Sequence, residues 1–320
     1  SWAAAGRPED AITVLQGIRR ALPSGSRVLH TKGADVASDD TTDFAEAERL
    51  ARQADAVVLV LGEDRDMSAE ARNRSSLDLP GVQQRLAERV HAAGRGVVVV
   101  LMNGRPLSTP WLDANLPAIL ETWYLGVQTG VAVADVLFGD YNPGGKLPIS
   151  VPRTVGQVSI FYNHKNTGRP PDERERYTSK YLDVPWTPLY PFGHGLSYTS
   201  FGYGDLRLSA ASIRASDSLT VSVEVSNTGD RAGDEVVQLY LRDDVASLTR
   251  PVKGLRRFRR ITLGPGERRT VAFTLGRDDL AFLGPALRPI VEPGTFTVFV
   301  GTSSVDVREA RFEVVGSERP

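Results

Sequence analysis

The sequence predicts an α/β sandwich, a mostly parallel sheet with helices on both faces, followed by an all-β sandwich. Three observations predict it. Short apolar runs at 56–61, 97–101 and 118–121 alternate with helical periodicity as far as Gly139, the pattern of parallel strands joined by covering helices. Beyond Phe201 short strands follow one another, separated by turns rich in Gly and Pro, the pattern of a β-sandwich. The 320 residues are 41% hydrophobic, enough for more than one core at about 100–200 residues per domain. The expected domains are 1–200 and 201–320.

Each element has a local reason. Residues 8–22 read as a helix, with Pro8 in the first turn and Glu9 and Asp10 at the positive end of the dipole. Ile12, Val14, Leu15, Ile18 and Leu22 form its apolar stripe. A short strand is expected at 27–31, a loop at 33–40, and a helix at 42–53 burying Phe44, Ala47, Leu50 and Ala51. The strand 56–61 ends at Gly62. Next come a helix at 82–93 with Gly94 as its cap and a strand at 97–101 running into Asn103-Gly104-Arg105-Pro106. A short helix at 111–115, a strand at 118–121 and a helix at 127–138 complete the pattern. Residues 153–199 have little periodicity; so long an irregular segment carries function or packs on a partner. Further strands are expected at 219–225, 236–241, 251–261, 270–275 and 295–300.

Composition removes several function classes. The formal net charge is −1, which offers no electrostatic case for nucleic acid. No apolar run is long enough to span a bilayer. Without cysteine there is no disulfide, thiolate nucleophile or Cys-based zinc site. His30, His91, His164 and His194 lack metal-ligand spacing. Ser1-Trp2-Ala3-Ala4-Ala5 has neither an initiating Met nor the layout of a leader, and reads as the start of a fragment or a processed chain.

The stretch that carries chemistry follows Gly62. Glu63, Asp64, Arg65, Asp66, Glu70, Arg72 and Arg74 crowd a loop at the carboxyl end of a predicted strand, where open α/β sheets bind ligands. A solvated surface loop is the plain alternative. The loop is long for a strand-to-helix connection, and its mixture of carboxylates and arginines suits proton transfer beside sugar hydroxyls.

Its wording is Gly62-Glu63, then Met67-Ser68-Ala69-Glu70-Ala71-Arg72-Asn73-Arg74, then Asp78-Leu79-Pro80. This resembles the C-terminal sandwich domain of glycoside hydrolase family 3, of the bacterial β-glucosidase type. Asn142-Pro143-Gly144-Gly145-Lys146-Leu147-Pro148, the stretch from Tyr162 to Pro170, and Tyr190-Pro191-Phe192-Gly193-His194-Gly195 are similar to other segments of that family. Residues 239–280 resemble the fibronectin type III-like domain that ends many of its chains. The resemblance implies a retaining, exo-acting β-glycosidase, a β-glucosidase before a β-xylosidase, acting on β-glucosides or oligosaccharides. It implies that the nucleophilic Asp sits on a (β/α)8 barrel, absent here, carried by the same protein or a separate chain. It also implies no cofactor and a periplasmic or secreted setting.

By the motif match, Glu70 is the general acid/base. Two carboxyl groups do this chemistry, one protonating the leaving oxygen and one attacking the anomeric carbon, and each needs its own environment. Glu63 is the runner-up and Asp66 the third candidate; Glu63 also reads as a structural group capping the loop or pairing with Arg65. Arg74, four residues after Glu70, either binds a hydroxyl or orients the acid, a plain surface ion pair being the equal alternative. Arg65, Asp66 and Met67 are expected to line the aglycone side by proximity. Trp123 and Tyr124 read as core aromatics before sugar platforms. His164 and Lys165 read as packing or subsite-shaping residues, His194 as a turn brace. Arg256, Arg257, Arg259 and Arg260 read as a charged strand edge. The rival from another class is a carbohydrate-binding or assembly module without catalysis.

Overall fold

The computed structural model describes residues 6–94 and 96–316; the unusual start at 1–5 lies outside them. The chain forms two compact units, Ser1–Tyr141 with Val151–Val158, and Asn142–Ser150 with Ser159–Pro320.

In the first unit, α1 (Val14–Ala21) and α2 (Phe44–Gln53) precede β1 (Val57–Gly62). Then come α3 (Gln83–Ala93), β2 (Val97–Met102), α4 (Pro110–Asn115), β3 (Ala118–Glu121) and α5 (Thr129–Phe138). The strands pair in the order β1-β2-β3, all parallel. Side chains alternate along each strand, so the sheet feeds two cores. Leu59, Leu61, Val97, Val99 and Leu101 join Phe44, Leu86, Val90 and Leu112 on the α2–α3–α4 side. Val58, Val100, Met102 and Leu120 meet Val14 and Val133 on the α1–α5 side. Helices α1 and α5 approach until a Cβ on Gly17 would lie 1.9 Å from the Gly130 carbonyl oxygen. Any side chain there would drive them apart.

Two expected elements change. The helix expected from Pro8 breaks into a single 3-10 turn, Pro8–Asp10, and a separate α1. Thr13 starts the second piece with a reciprocal capping box with Gln16, a stronger nucleation signal than Pro8 alone. The strand expected at 27–31 does not form; residues 27–35 are irregular and Leu29 is exposed, since no neighbouring strand pairs with them.

The second unit holds β4 (Phe201–Tyr203), β5 (Arg207–Leu208), β6 (Ser212–Arg214), β7 (Leu219–Asn227), β8 (Gly233–Asp243), β9 (Gly254–Leu263) and β10 (Arg268–Leu275). After α6 (Arg277–Leu280) come β11 (Phe282–Leu283), β12 (Pro289–Ile290), β13 (Gly294–Gly301) and β14 (Val307–Val315). One sheet runs β6-β14-β13-β8-β9; the other runs β10-β7-β4, with β5 also on β7. Their inner faces share one core that includes Leu219, Val223, Leu239, Leu263, Val298 and Phe312. The segment around 159–198 belongs to this unit. Tyr162 stacks on Phe192 at 4.3 Å and meets the Tyr240 ring edge-on at 5.7 Å. His164 accepts at its carbonyl from the Val252 amide (2.9 Å), and the His194 ring stacks on Tyr190. Lys146 is held by Glu235 (3.1 Å), the Gly195 carbonyl (3.0 Å) and Thr302 (2.7 Å). The arginine-rich stretch lies on β9, an edge strand. Arg257 pairs with Asp279 and Arg260 with Asp234.

Candidate active site

The loop between β1 and α3 leaves the carboxyl end of the sheet, beside the turn after β2. A Cβ on Gly104 would sit 1.9 Å from Ser68 Oγ, so only glycine lets the loop rest on that turn. Gln83, buried at the start of α3, fixes the loop's root. Its amide nitrogen donates to the Gly62 and Val36 carbonyls (2.8 Å each), and its carbonyl oxygen accepts from the Gly62 amide (2.7 Å). The Ser108 amide donates to the Leu77 carbonyl (2.8 Å) and ties the far end.

Glu63 has no exposed side-chain surface. Its Oε1 accepts from Arg74 at 2.8 Å, and Arg105 Nε lies 3.1 Å from Oε1 and 3.3 Å from Oε2. A carboxylate held between two guanidinium groups and closed to water cannot reach a substrate; it braces the loop. The expected partner Arg65 is instead largely exposed, 4.0 Å from Asp66. Arg74 is correspondingly engaged with Glu63 and with the Asp78 carbonyl (3.0 Å), rather than orienting Glu70. Arg105, passed over in the sequence reading, donates through Nη2 to the carbonyls of Met67 and, at 2.9 Å, Arg72.

Glu70 lies exposed between those two anchored carbonyls. The next residue, Ala71, has φ +58°, a left-handed conformation that costs a residue with a Cβ about 1–2 kcal/mol. Such strain persists where surrounding contacts impose it, and here the anchors on either side do so. Arg65 and Asp66 are exposed in the same loop as Glu70, and Met67 is partly buried. Tyr124 is partly buried against the loop, its hydroxyl donating weakly toward the Glu63 and Asp64 carbonyls (3.4 and 3.3 Å). Trp123 adopts φ +51°.

One more carboxyl lies close by. Glu121 ends β3, accepts from the Trp123 amide at 3.1 Å, and receives Asn103 Nδ2 at 3.2 Å. Burial pushes its pKa up to about 7 against those two hydrogen bonds. Its apolar context, Ala-Ile-Leu-Glu, hid it among strand residues. Among the described residues, no group of His, Cys, Asp and Glu is placed to hold a metal ion.

The profile of the glycosyl hydrolase family 3 C-terminal domain matches residues 1–198, and that of the fibronectin type III-like domain matches residues 235–304. The chain belongs to glycosyl hydrolase family 3. It is 45% identical to the periplasmic beta-glucosidase of Salmonella typhimurium, over 98% of this chain and 44% of that protein. A beta-xylosidase of Formosa agariphila is 49% identical over 93% of this chain and 41% of its own length. The crystal structure of the Listeria innocua beta-glucosidase in complex with glucose superposes with a TM-score of 0.89 at 40% identity, covering 97% of this chain and 43% of that one. The family 3 chain thus spans less than half the length of these relatives. No helix of the described residues is long and apolar enough to cross a membrane.

Proposed function

We propose that this chain supplies the general acid/base of a retaining, exo-acting β-glucosidase that removes terminal non-reducing β-D-glucosyl residues. Glu70 protonates the leaving oxygen as the glycosidic bond breaks, then takes a proton from the water that releases the glycosyl-enzyme. The nucleophilic Asp belongs to a (β/α)8 barrel domain. The family 3 C-terminal domain runs over residues 1–200 and the fibronectin type III-like domain over 201–320, with the stretch 159–198 packed in the second compact unit. Arg65, Asp66 and Met67 line the leaving-group side. Arg74 acts through Glu63. The chemistry calls for no cofactor, and the setting is periplasmic or secreted, a reading supported by the name of the Salmonella relative.

The observation that carries this reading is the division of labour in one loop. Glu63 is buried between two arginines, whereas Glu70 is exposed on backbone that is anchored on both sides. That favours catalysis over a purely structural module. The β-xylosidase relative supports a second reading with the same acid/base and a pentosyl substrate. The two are separated by comparing aryl β-glucoside with aryl β-xyloside, using this chain assembled with its barrel domain. The acid/base role is tested by Glu70→Gln on two aryl β-glucosides. Removing a general acid costs about 10²–10⁴-fold, and here that loss falls on kcat/KM for the poor leaving group, with far less on kcat/KM for the good one. Parental rates on both refute the assignment.

A further inference from the structure

We infer that Arg105 is a positioning residue for the acid/base, a staple that closes the loop around Glu70. The inference rests on the reading of Glu70 given above. Among the described residues, no hydrogen bond or ion pair holds the Glu70 carboxylate itself, so its placement is set by the backbone beneath it. Arg105 Nη2 bridges the carbonyls of Met67 and Arg72, one before Glu70 and one after it. Its Nε rests on the buried Glu63 carboxylate, which also holds Arg74. One buried anion therefore fixes two guanidinium groups, and both clamp the same loop.

The staple has its own anchor. The Arg105 carbonyl accepts from Asn103 Nδ2 at 2.8 Å, and that nitrogen also lies 3.2 Å from Glu121 Oε2. Asn103 is completely buried, so the turn after β2 stands on the sheet. A fork is needed here: one guanidinium faces a carboxylate and two carbonyls at once, which a lysine ammonium on a flexible stem does not reproduce. Loosening it lets the strained Ala71 relax and moves Glu70 off line. A misplacement of about 1 Å costs about 100-fold in rate.

The test uses the assembly of this chain with its barrel domain, and compares the parent, Glu70→Gln and Arg105→Lys. The probes are 2,4-dinitrophenyl β-glucoside, whose leaving group needs no proton, and phenyl β-glucoside, whose leaving group does. For Arg105→Lys the expected result is a kcat/KM on the phenyl substrate reduced about 10–100-fold further than on the dinitrophenyl one. On the dinitrophenyl substrate, whose turnover is limited by release of the glycosyl-enzyme, kcat and KM should fall together, and amide exchange across residues 67–74 should be faster. An equal loss of kcat/KM on both substrates, or unchanged exchange, overturns the staple. Should Arg105→Lys fail to fold, Asn103→Ser leaves Arg105 in place and removes the anchor of its carbonyl together with the hydrogen bond to Glu121. It is expected to show the same selective loss at smaller amplitude, and a parental substrate ratio overturns the inference. Discriminating loss in Glu70→Gln beside parental behaviour in Arg105→Lys refutes the staple alone. A Glu70→Gln assembly without discrimination refutes the acid/base reading, and the staple with it.

Discussion

Replacing Glu63 with Gln tests whether that carboxylate is a brace or an acid. The substitution keeps shape and removes charge. Two guanidinium groups then face each other with no buried counter-charge, since Arg74 and Arg105 both depend on Glu63. Breaking a buried ion pair costs about 3–5 kcal/mol. The side chains of Arg74 and Arg105 retain 19% and 21% exposure, so water relieves part of the cost and the lower end applies, about 3 kcal/mol. In a unit of this size that lowers the melting temperature by roughly 6–12 °C. The assay is urea denaturation with amide exchange on β1 and β2, which reports on the α/β unit separately from the β-sandwich unit. Stability changed by less than about 0.5 kcal/mol, together with selective loss on poor leaving groups, would make Glu63 the proton donor and refute the brace.

Other predictions follow from neighbouring groups. Glu121 is raised by burial from an ordinary value near 4.5 to about 7, so the folded state keeps a proton that the unfolded state releases. Its contribution is complete below pH 4.5, declines as pH rises to 7 and is then lost, about 3 kcal/mol in all. Urea midpoints at pH 5 and pH 8 should show that decline in the parent and a much smaller one in Glu121→Gln. Lys146→Met leaves Glu235, which is 2% exposed, without its counter-charge; among the described residues only the Tyr203 hydroxyl at 2.7 Å remains on that carboxylate. The β-sandwich unit should lose about 3 kcal/mol or more, read by calorimetry. Gly17→Ala forces a methyl into the Gly130 carbonyl and should cost about 1–3 kcal/mol, seen as faster exchange in α1 and α5.

The parts legible in the sequence were those whose burial repeats along the chain. Val57–Gly62 and Val97–Met102 are legible because their apolar residues run unbroken, although Val60 on β1 stays exposed. The nine-residue β14 escaped. Val-Arg-Glu-Ala-Arg-Phe-Glu-Val-Val buries only Phe312 and Val314, so most of it reads as charged surface. The candidate site divided in the same way. Glu70 was reached through its motif, and the length of its loop was visible. Arg105 left no trace, because it binds backbone carbonyls 38 and 33 residues away, and a carbonyl has no residue type. The pairing of Glu63 was misread toward Arg65 because sequence distance favours near neighbours. The fold chooses Arg74 and Arg105, which reach a buried carboxylate from the loop's far side and from the turn after β2.

The central claim is that Glu70 gives and takes the proton. The most direct measurement is the product formed by the Glu70→Gln assembly from 2,4-dinitrophenyl β-glucoside in the presence of azide, identified by proton NMR. Without its base the glycosyl-enzyme waits for a nucleophile that needs no deprotonation. The account predicts β-glucosyl azide, with retained configuration, and turnover that rises with azide. Glucose formed at the parental rate with no azide adduct would show that another group moves the proton.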